Sequence, residues 1–246
     1  MEKKRNAAII YIALISMLID HIGVLFFPAE SLFRSIGRLA FPIFAWSLAQ
    51  GFRYSSNRSA YFKRLLLFAF ISQVPYSFLN PGAIFELYGF NQLFQFVLSF
   101  MVLYLYEEGK NKKSLYLLGA CLVFLPDLVE YFYPLFSIGY GSYGIMLSLL
   151  FYMVQDPYRQ ALGYILVSLY GSLSTMFIYG LRFSPSFLFQ GIVNMDGLFF
   201  QWRSIVALPL IYLTERLPGR KIPKYLVYWF YPVHIALLVL LYKTLY

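Results

Sequence analysis

Apolar residues in this chain are gathered into nine blocks separated by short polar stretches, at about 7–28, 32–52, 61–79, 90–106, 114–130, 139–154, 160–180, 197–213 and 225–245. At a rise of about 1.5 Å per residue, blocks of this length can cross the hydrocarbon of a bilayer as helices. The pattern predicts an all-α, polytopic integral membrane protein with nine transmembrane helices. The stretch 181–197 contains an apolar piece from Phe187 to Val193. If it crosses the membrane the total is ten; otherwise it is interfacial or re-entrant. Only three residues separate the first two blocks, so these two are expected to be antiparallel neighbours. No repeat of 20–50 residues, low-complexity tract or second soluble region interrupts the pattern, and a single membrane domain over 1–246 accounts for the chain.

Composition agrees. Charged residues make up 13% and hydrophobic residues 60% of the chain, against about a quarter charged in soluble domains, and the mean hydropathy is +0.65. The 23 tyrosines and 26 phenylalanines are too many for interfacial belts alone, so most are expected to pack between helices. The lone Cys121 excludes an internal disulfide and is expected to behave as a small hydrophobe. With two histidines and one thiol, a structural zinc site is not expected, and no metal is called for.

A net charge of +9 would suggest a nucleic-acid partner, but its distribution is topological. If the N-terminus is cytoplasmic, the inner loops and their flanks hold Lys3, Lys4, Arg5, Arg53, Arg58, Lys63, Arg64, Lys110, Lys112, Lys113, Arg159, Arg216, Arg220, Lys221 and Lys224, which is 15 of the 20 basic residues. The opposite loops hold only Arg182. Positive-inside bias therefore predicts a cytoplasmic N-terminus and, with nine crossings, an outer C-terminus. Lys3-Lys4-Arg5 ahead of an apolar run imitates a signal peptide. The run is too long for one, contains Asp20 and His21 and lacks a small-residue cleavage site, so a retained first helix is expected.

Candidate chemistry follows from charge placed where a membrane helix should carry none. His21 lies seven residues before Pro28 and Arg38 seven after Ser31, so both are expected roughly 10 Å below the same surface, with Asp20 and Arg34 beside them. Arg203, about six residues inside the eighth block, reaches a similar depth. Ionisable groups there are costly unless paired or facing a wet cavity, which makes them functional candidates. Asp20 and His21 are consecutive and project about 100° apart, so a pair of Asp20 with Arg34 or Arg38, leaving His21 to face a cavity, is the better assignment. An ion pair that merely locks a hairpin is the competing explanation. His234, after Tyr231-Pro232 in the last block, is expected near mid-membrane, as a packing residue or as a second site residue. Tyr76, Asn91, Gln92, Gln95 and Tyr143 are candidates for hydrogen bonding between helices.

A neutral histidine in a low-dielectric cavity suits general-base catalysis, and nearby arginines can stabilise an oxyanion or hold an anionic group. The basic residues Arg53, Arg58, Arg216 and Arg220 could seat phosphates, although topology and attraction to anionic lipid account for most such clusters.

Met17-Leu18-Ile19-Asp20-His21-Ile22-Gly23, Ile36-Gly37-Arg38-Leu39-Ala40-Phe41-Pro42-Ile43-Phe44-Ala45, Gln50-Gly51-Phe52 and Ile71-Ser72-Gln73-Val74-Pro75-Tyr76 resemble the TraX family of membrane proteins. The resemblance continues through Tyr143-Gly144, Leu208-Pro209-Leu210 and Lys224-Tyr225 to Phe230-Tyr231-Pro232-Val233-His234, and so covers nearly the whole chain. It implies a multi-helix membrane acyltransferase of the bacterial inner membrane, fed by cytoplasmic acetyl-CoA. By the same resemblance His21 is the expected base, Asp20 and Arg38 its motif partners and His234 a second site residue. Gln50 and Gln73 stand where glutamate is common in such stretches, and Gln95 where a smaller hydroxyl residue is common.

By the same resemblance, whose name-giving member acetylates a pilin N-terminus, the expected partners are the acyl-CoA donor, the bilayer and an acceptor amine or hydroxyl on a pilin or other peptide, a glycan or a lipid. The donor's phosphates are expected on Arg53, Arg58, Arg216 and Arg220, Arg34 and Arg203 are also expected to bind the donor, and Arg38 and Arg203 are expected to meet developing charge. A different class, a proton-coupled secondary transporter or flippase, would use Asp20, His21 and Arg38 as a relay; the inverted repeat it calls for is not found. A catalytically inactive scaffold is the third reading.

Overall fold

A computed structural model of the chain describes residues 7–29, 31–79, 89–133, 136–175, 177–178, 200–215 and 222–246. Its helices are α1 (Ala7–Phe26), α2 (Ser31–Gly37), α3 (Ala40–Tyr54), α4 (Arg58–Tyr76), α5 (Gln92–Gly109), α6 (Lys113–Phe132), α7 (Gly141–Met153), α8 (Pro157–Thr175), a 3-10 segment (Phe200–Val206) running into α9 (Ala207–Glu215), and α10 (Lys224–Leu245). The all-α expectation therefore holds. One addition is a minimal parallel pair, β1 (Gly89–Phe90) with β2 (Ser137–Ile138), joined through Gly89↔Ser137 and Phe90↔Ile138. Each lies just before a helix, where backbone groups lack intrahelical partners and find them across the pair. The whole 181–197 stretch lies outside the described residues.

Three of the described helices are long and apolar enough to cross a bilayer, with mean hydropathies of 2.2 for Ala7–Phe26, 1.6 for Lys113–Phe132 and 1.7 for Tyr225–Leu245. Their outward faces are apolar. Leu117 (54% exposed), Phe124 (51%) and Leu128 (55%) on α6 repeat as Leu237 (60%) and Leu240 (62%) on α10. Contiguous exposure of this kind is unfavourable in water and matches a hydrocarbon surrounding. Cys121 lies on the exposed side of α6.

The second block is not one helix. It breaks at Arg38-Leu39, which form a turn between α2 and α3, with the Arg38 N–H bonding the Arg34 carbonyl at 3.1 Å. Two residues explain the break. Gly37 ends α2, and Pro42 has no N–H to return to the carbonyl of Arg38, so a continuous helix would lose a bond there. In α3 itself Pro42 sits in the first turn, where no N–H is required. The seventh helix is similarly shortened at its start by Gly139 and Gly141, whose φ values of 54° and 58° are left-handed.

The chain divides into two compact units, one of Met1–Phe44, Leu67–Leu87 and Arg203–Tyr246, the other of Ala45–Leu66 and Tyr88–Trp202. In the first, α1 packs against α2, α9 and α10. Small residues permit the closest approach: a Cβ on Gly23 would run into Phe33, and one on Gly37 into the Asp20 side chain. Ile9, Ala13, Ile211 and Ile235 are fully buried, and Phe68 meets Tyr228 and Trp229 with ring centroids 5.0 and 5.1 Å apart. In the second unit α5 packs on α6 and α7, and α7 on α8. Its core holds Phe52, Leu103, Ile145, Phe151 and Tyr164, with the Phe52 ring edge-on to Phe100 at 5.0 Å.

Candidate functional site

The first unit brings together six of the residues the sequence singles out: Asp20, His21, Arg34, Arg38, Arg203 and His234. On α1, Asp20 and His21 diverge as consecutive helical positions must. The Asp20 carboxylate turns to α2 and pairs with Arg34, Oδ2 to Nη1 2.8 Å. Arg38, in the turn that ends α2, also acts electrostatically on Asp20. The assignment of Asp20 to the arginines rather than to its neighbour is therefore what the fold adopts.

His21 turns instead to α10. It is 7% exposed, and its Nδ1 lies 2.7 Å from Nε2 of His234, which is 6% exposed. The two imidazoles are nearly parallel, 13° between planes and 4.9 Å between centroids. His234 is held in turn by its own helix: Nδ1 lies 2.5 Å from the Phe230 carbonyl oxygen, and the Phe230 ring stacks on the imidazole at 4.8 Å. The Tyr231 ring flanks both histidines at 6.2 and 6.0 Å. Residues 213 apart in sequence thus make one buried, hydrogen-bonded pair. Arg34 is close enough to act on the charge of His21 as well as on Asp20. Arg203 donates from Nη1 to Ser35 Oγ on α2 at 2.5 Å, which places its guanidinium on the helix that carries Arg34. Among the described residues three arginines accompany one carboxylate here, an electropositive setting suited to developing negative charge.

Arg53 and Arg58 belong to the second unit and are bonded to helix ends. Arg53 donates to Gln50 Oε1 at 3.2 Å, to Gln155 Oε1 at 2.9 Å and to the Phe151 and Tyr152 carbonyls at the C-terminus of α7. Arg58 donates from Nε to the Phe52 carbonyl at 3.0 Å and lies over the Phe52 ring at 4.2 Å. Cations at helix C-termini satisfy carbonyls that lack partners. Arg216 and Arg220 lie outside the described residues. The glutamines also make hydrogen bonds: Gln73 Nε2 donates locally, to Ser77 Oγ four residues on, at 3.4 Å, and the fully buried Gln95 donates across from α5 to the Gly141 carbonyl of α7 at 3.2 Å. Asn91 caps α5 by accepting from the Leu93 N–H at 2.9 Å.

One polar centre was missed by the sequence reading. Asp127, in the apolar α6, accepts from the Ser142 N–H at 2.7 Å, from Tyr170 Oη–H at 2.8 Å and from the Ser174 hydroxyl. It borders a cavity of about 150 Å³ together with Glu130, Tyr140, Tyr143 and Thr175. The signal that picks out Asp20, a carboxylate inside an apolar block, was present here too; no arginine or histidine accompanied it in sequence.

Compared with known proteins, residues 5–242 match the profile described as TraX protein. The chain belongs to the TraX family. Within TraX the match extends over α1 to α10, so both histidines and all the arginines of the candidate site fall inside it. A probable fimbrial assembly protein, FimC of serogroup H1, from Dichelobacter nodosus is 39% identical over 72 residues, 28% of this chain and 30% of that one. The chain therefore spans under a third of that relative's length. No solved structure matches this TraX sequence.

Proposed function

We propose that this TraX-family protein is an acetyl-CoA-dependent acyltransferase of the bacterial inner membrane, with nine crossings, a cytoplasmic N-terminus and His21 as its base. The observation that carries the reading is the buried His21–His234 pair, held at 2.7 Å beside the Asp20–Arg34 ion pair. Such a pair can accept a proton without a carboxylate, and the arginines Arg34, Arg38 and Arg203 suit an oxyanion.

In the proposed reaction an acceptor amine or hydroxyl attacks the thioester carbonyl of acetyl-CoA. The new C–N or C–O bond forms, the C–S bond breaks, and the thiolate leaves. His21 takes the acceptor's proton and returns it to the thiolate. Family membership and the fimbrial assembly relative favour a peptide or pilin-like acceptor; glycan and lipid hydroxyls are the alternatives to test beside it.

The test is transfer of radiolabelled acetyl from acetyl-CoA by the purified protein in lipid, with wild type, His21→Ala and His234→Ala compared. Label on the protein, or slow hydrolysis, that disappears with His21→Ala supports the reading before any acceptor is known. Neither binding nor turnover by wild type overturns it. A second reading, proton-coupled transport, draws on the broken helix at Arg38-Leu39, since discontinuous helices mark transporter sites. It gains ground if proteoliposomes move protons with a solute while the radiolabel assay stays blank.

A further inference from the structure

We infer that His21 accepts its proton through Nε2, and that His234 is the positioning residue which fixes this tautomer and shares the proton taken up. The assignment starts from an atom with no choice. The Phe230 carbonyl oxygen can only accept, so the His234 Nδ1 lying 2.5 Å away carries a hydrogen. A neutral His234 then presents a lone pair at Nε2. The 2.7 Å approach of His21 Nδ1 to that atom needs one hydrogen between them, and His21 supplies it. A neutral imidazole protonated at Nδ1 has its lone pair at Nε2.

Every other neutral arrangement fails on one of the two contacts. Moving the His234 hydrogen to Nε2 would set a lone pair against the Phe230 carbonyl. Moving the His21 hydrogen to Nε2 would set two lone pairs against each other at 2.7 Å. Both rings are buried, so water does not relieve either repulsion. No described residue makes a hydrogen bond to His21 Nε2, so the lone pair is available to a substrate.

The same chain of bonds says where charge goes. When Nε2 takes a proton, His21 becomes an imidazolium whose Nδ1 hydrogen can pass to His234 Nε2. His234 then holds two hydrogens, Nδ1 still bonded to Phe230, and His21 is neutral with its hydrogen on Nε2. The proton count is conserved, and the positive charge spreads over two rings. The device resembles the histidine and carboxylate of a hydrolase triad, with an imidazole and a main-chain carbonyl in the carboxylate's place. Among the described residues, the charged or titratable neighbours from the packed elements are Asp20 on α1, Arg34 on α2, Arg38 in the following turn and Tyr231 on α10, with Arg203 beyond on Ser35. Asp20 does not complete the circuit, because its ion pair is with Arg34.

The catalytic half of this inference rests on the acyl-transfer reading; the tautomers do not. The chain has two histidines, so labelling histidine with nitrogen-15 gives four ring signals from the full-length protein in lipid nanodiscs. The expected spectrum near neutral pH shows both Nδ1 atoms protonated, both Nε2 atoms unprotonated, and a scalar coupling across the hydrogen bond between His21 Nδ1 and His234 Nε2. A His21 protonated at Nε2, or absence of that coupling, overturns the inference even if acetyl transfer is intact.

For the catalytic half, His234→Gln offers an amide oxygen that can still accept from Nδ1 but cannot take the proton. It is expected to preserve the His21 tautomer and KM, to lower kcat roughly 10–100-fold, as loss of an outer partner does for a working histidine, and to displace the acid limb of the pH–rate profile. His234→Ala should scramble the tautomer as well. If the Gln variant keeps the wild-type kcat and pH profile, His234 is structural only. If wild type transfers no acetyl while the spectrum is as stated, the acyl-transfer reading falls with the catalytic half, and the tautomer assignment stands. The spectrum is read on wild type, so poor folding of a variant does not remove the test.

Discussion

Asp20 and Arg34 close an ion pair of 2.8 Å between α1 and α2, with Asp20 16% and Arg34 31% exposed at the side chain. The pair directs the carboxylate away from His21 and leaves the imidazole to His234. Removing one partner of a half-buried pair strands the other charge, which costs about 3 kcal/mol where the site is well shielded. Arg34→Gln is expected to cost less than that, since Arg38 also acts on Asp20. The double variant Asp20→Asn with Arg34→Gln should recover part of the loss. Thermal unfolding midpoints of the four proteins in one detergent measure the coupling, and additive losses would show that the pair contributes nothing.

Gly37 is the second element of that interface. A Cβ there would enter the space of the Asp20 side chain, running into its Cβ and carboxyl group. Gly37→Ala is therefore expected to push α2 from α1, destabilising by about 1–3 kcal/mol in the manner of overpacking, and to reduce any activity that depends on His21. Gly119→Ala on α6 is the matched control, because its Cβ would meet nothing closer than Leu105 Cβ at 3.3 Å. Midpoints lowered equally in both would show that contact with Asp20 does not set the cost, since alanine by itself favours a helix over glycine.

Asp127 predicts a stability effect in the second unit. It receives one backbone and two hydroxyl hydrogen bonds, and Gly141, at φ 58°, brings the N-terminus of α7 onto it. Asp127→Ala leaves those donors unanswered, at about 1–3 kcal/mol for each one that water does not reach. Gly141→Ala adds a left-handed residue, about 1–2 kcal/mol, to a collision with the carboxylate. Both variants should unfold earlier than Tyr170→Phe, which removes a single bond, and the ranking is read from unfolding midpoints.

Much of this was legible in the chain. The apolar blocks mark the helices to within a few residues: 7–28 becomes Ala7–Phe26, and 114–130 becomes Lys113–Phe132. A carboxylate, a histidine and arginines inside apolar sequence marked residues that the fold brings together, because charge in such a place demands a reason. Two things were not legible. Local sequence does not say that His21 and His234 touch, since that contact depends on how α10 returns against α1, a long-range packing result. Nor did hydropathy separate α2 from α3, because Leu39, Ala40 and Phe41 are as apolar as a continuous helix; the break lies in the missing N–H of Pro42.

Arg53 was read as a seat for the donor's phosphates, and its bonds in the fold give a sharper expectation. Its guanidinium reaches the Phe151 and Tyr152 carbonyls and Gln155 together, a fan of donors that lysine does not have. Arg53→Lys should therefore lower the unfolding midpoint, by the equivalent of about 1–2 kcal/mol for lost charge-assisted bonds. If the arginine also holds phosphate, KM for acetyl-CoA rises in the same variant; an unchanged KM with a lowered midpoint assigns it to the end of α7 alone.

The proposed orientation is open to direct labelling. With the N-terminus inside, the turns at 55–57 and 110–112 face the cytoplasm, and the segment after α6 faces outward. Positive-inside bias supports this, because 15 of the 20 basic residues fall on the inner side of the nine-crossing arrangement. Asn57→Cys and Asn111→Cys, each in a Cys121→Ser background, are expected to react with a membrane-impermeant maleimide only after the membrane is opened. Tyr133→Cys, at a position 70% exposed, should react in intact spheroplasts. Reaction of position 57 in intact spheroplasts would invert the orientation. Position 111 reacting there while 57 does not would remove one crossing between them, and the nine-helix count would fall with it.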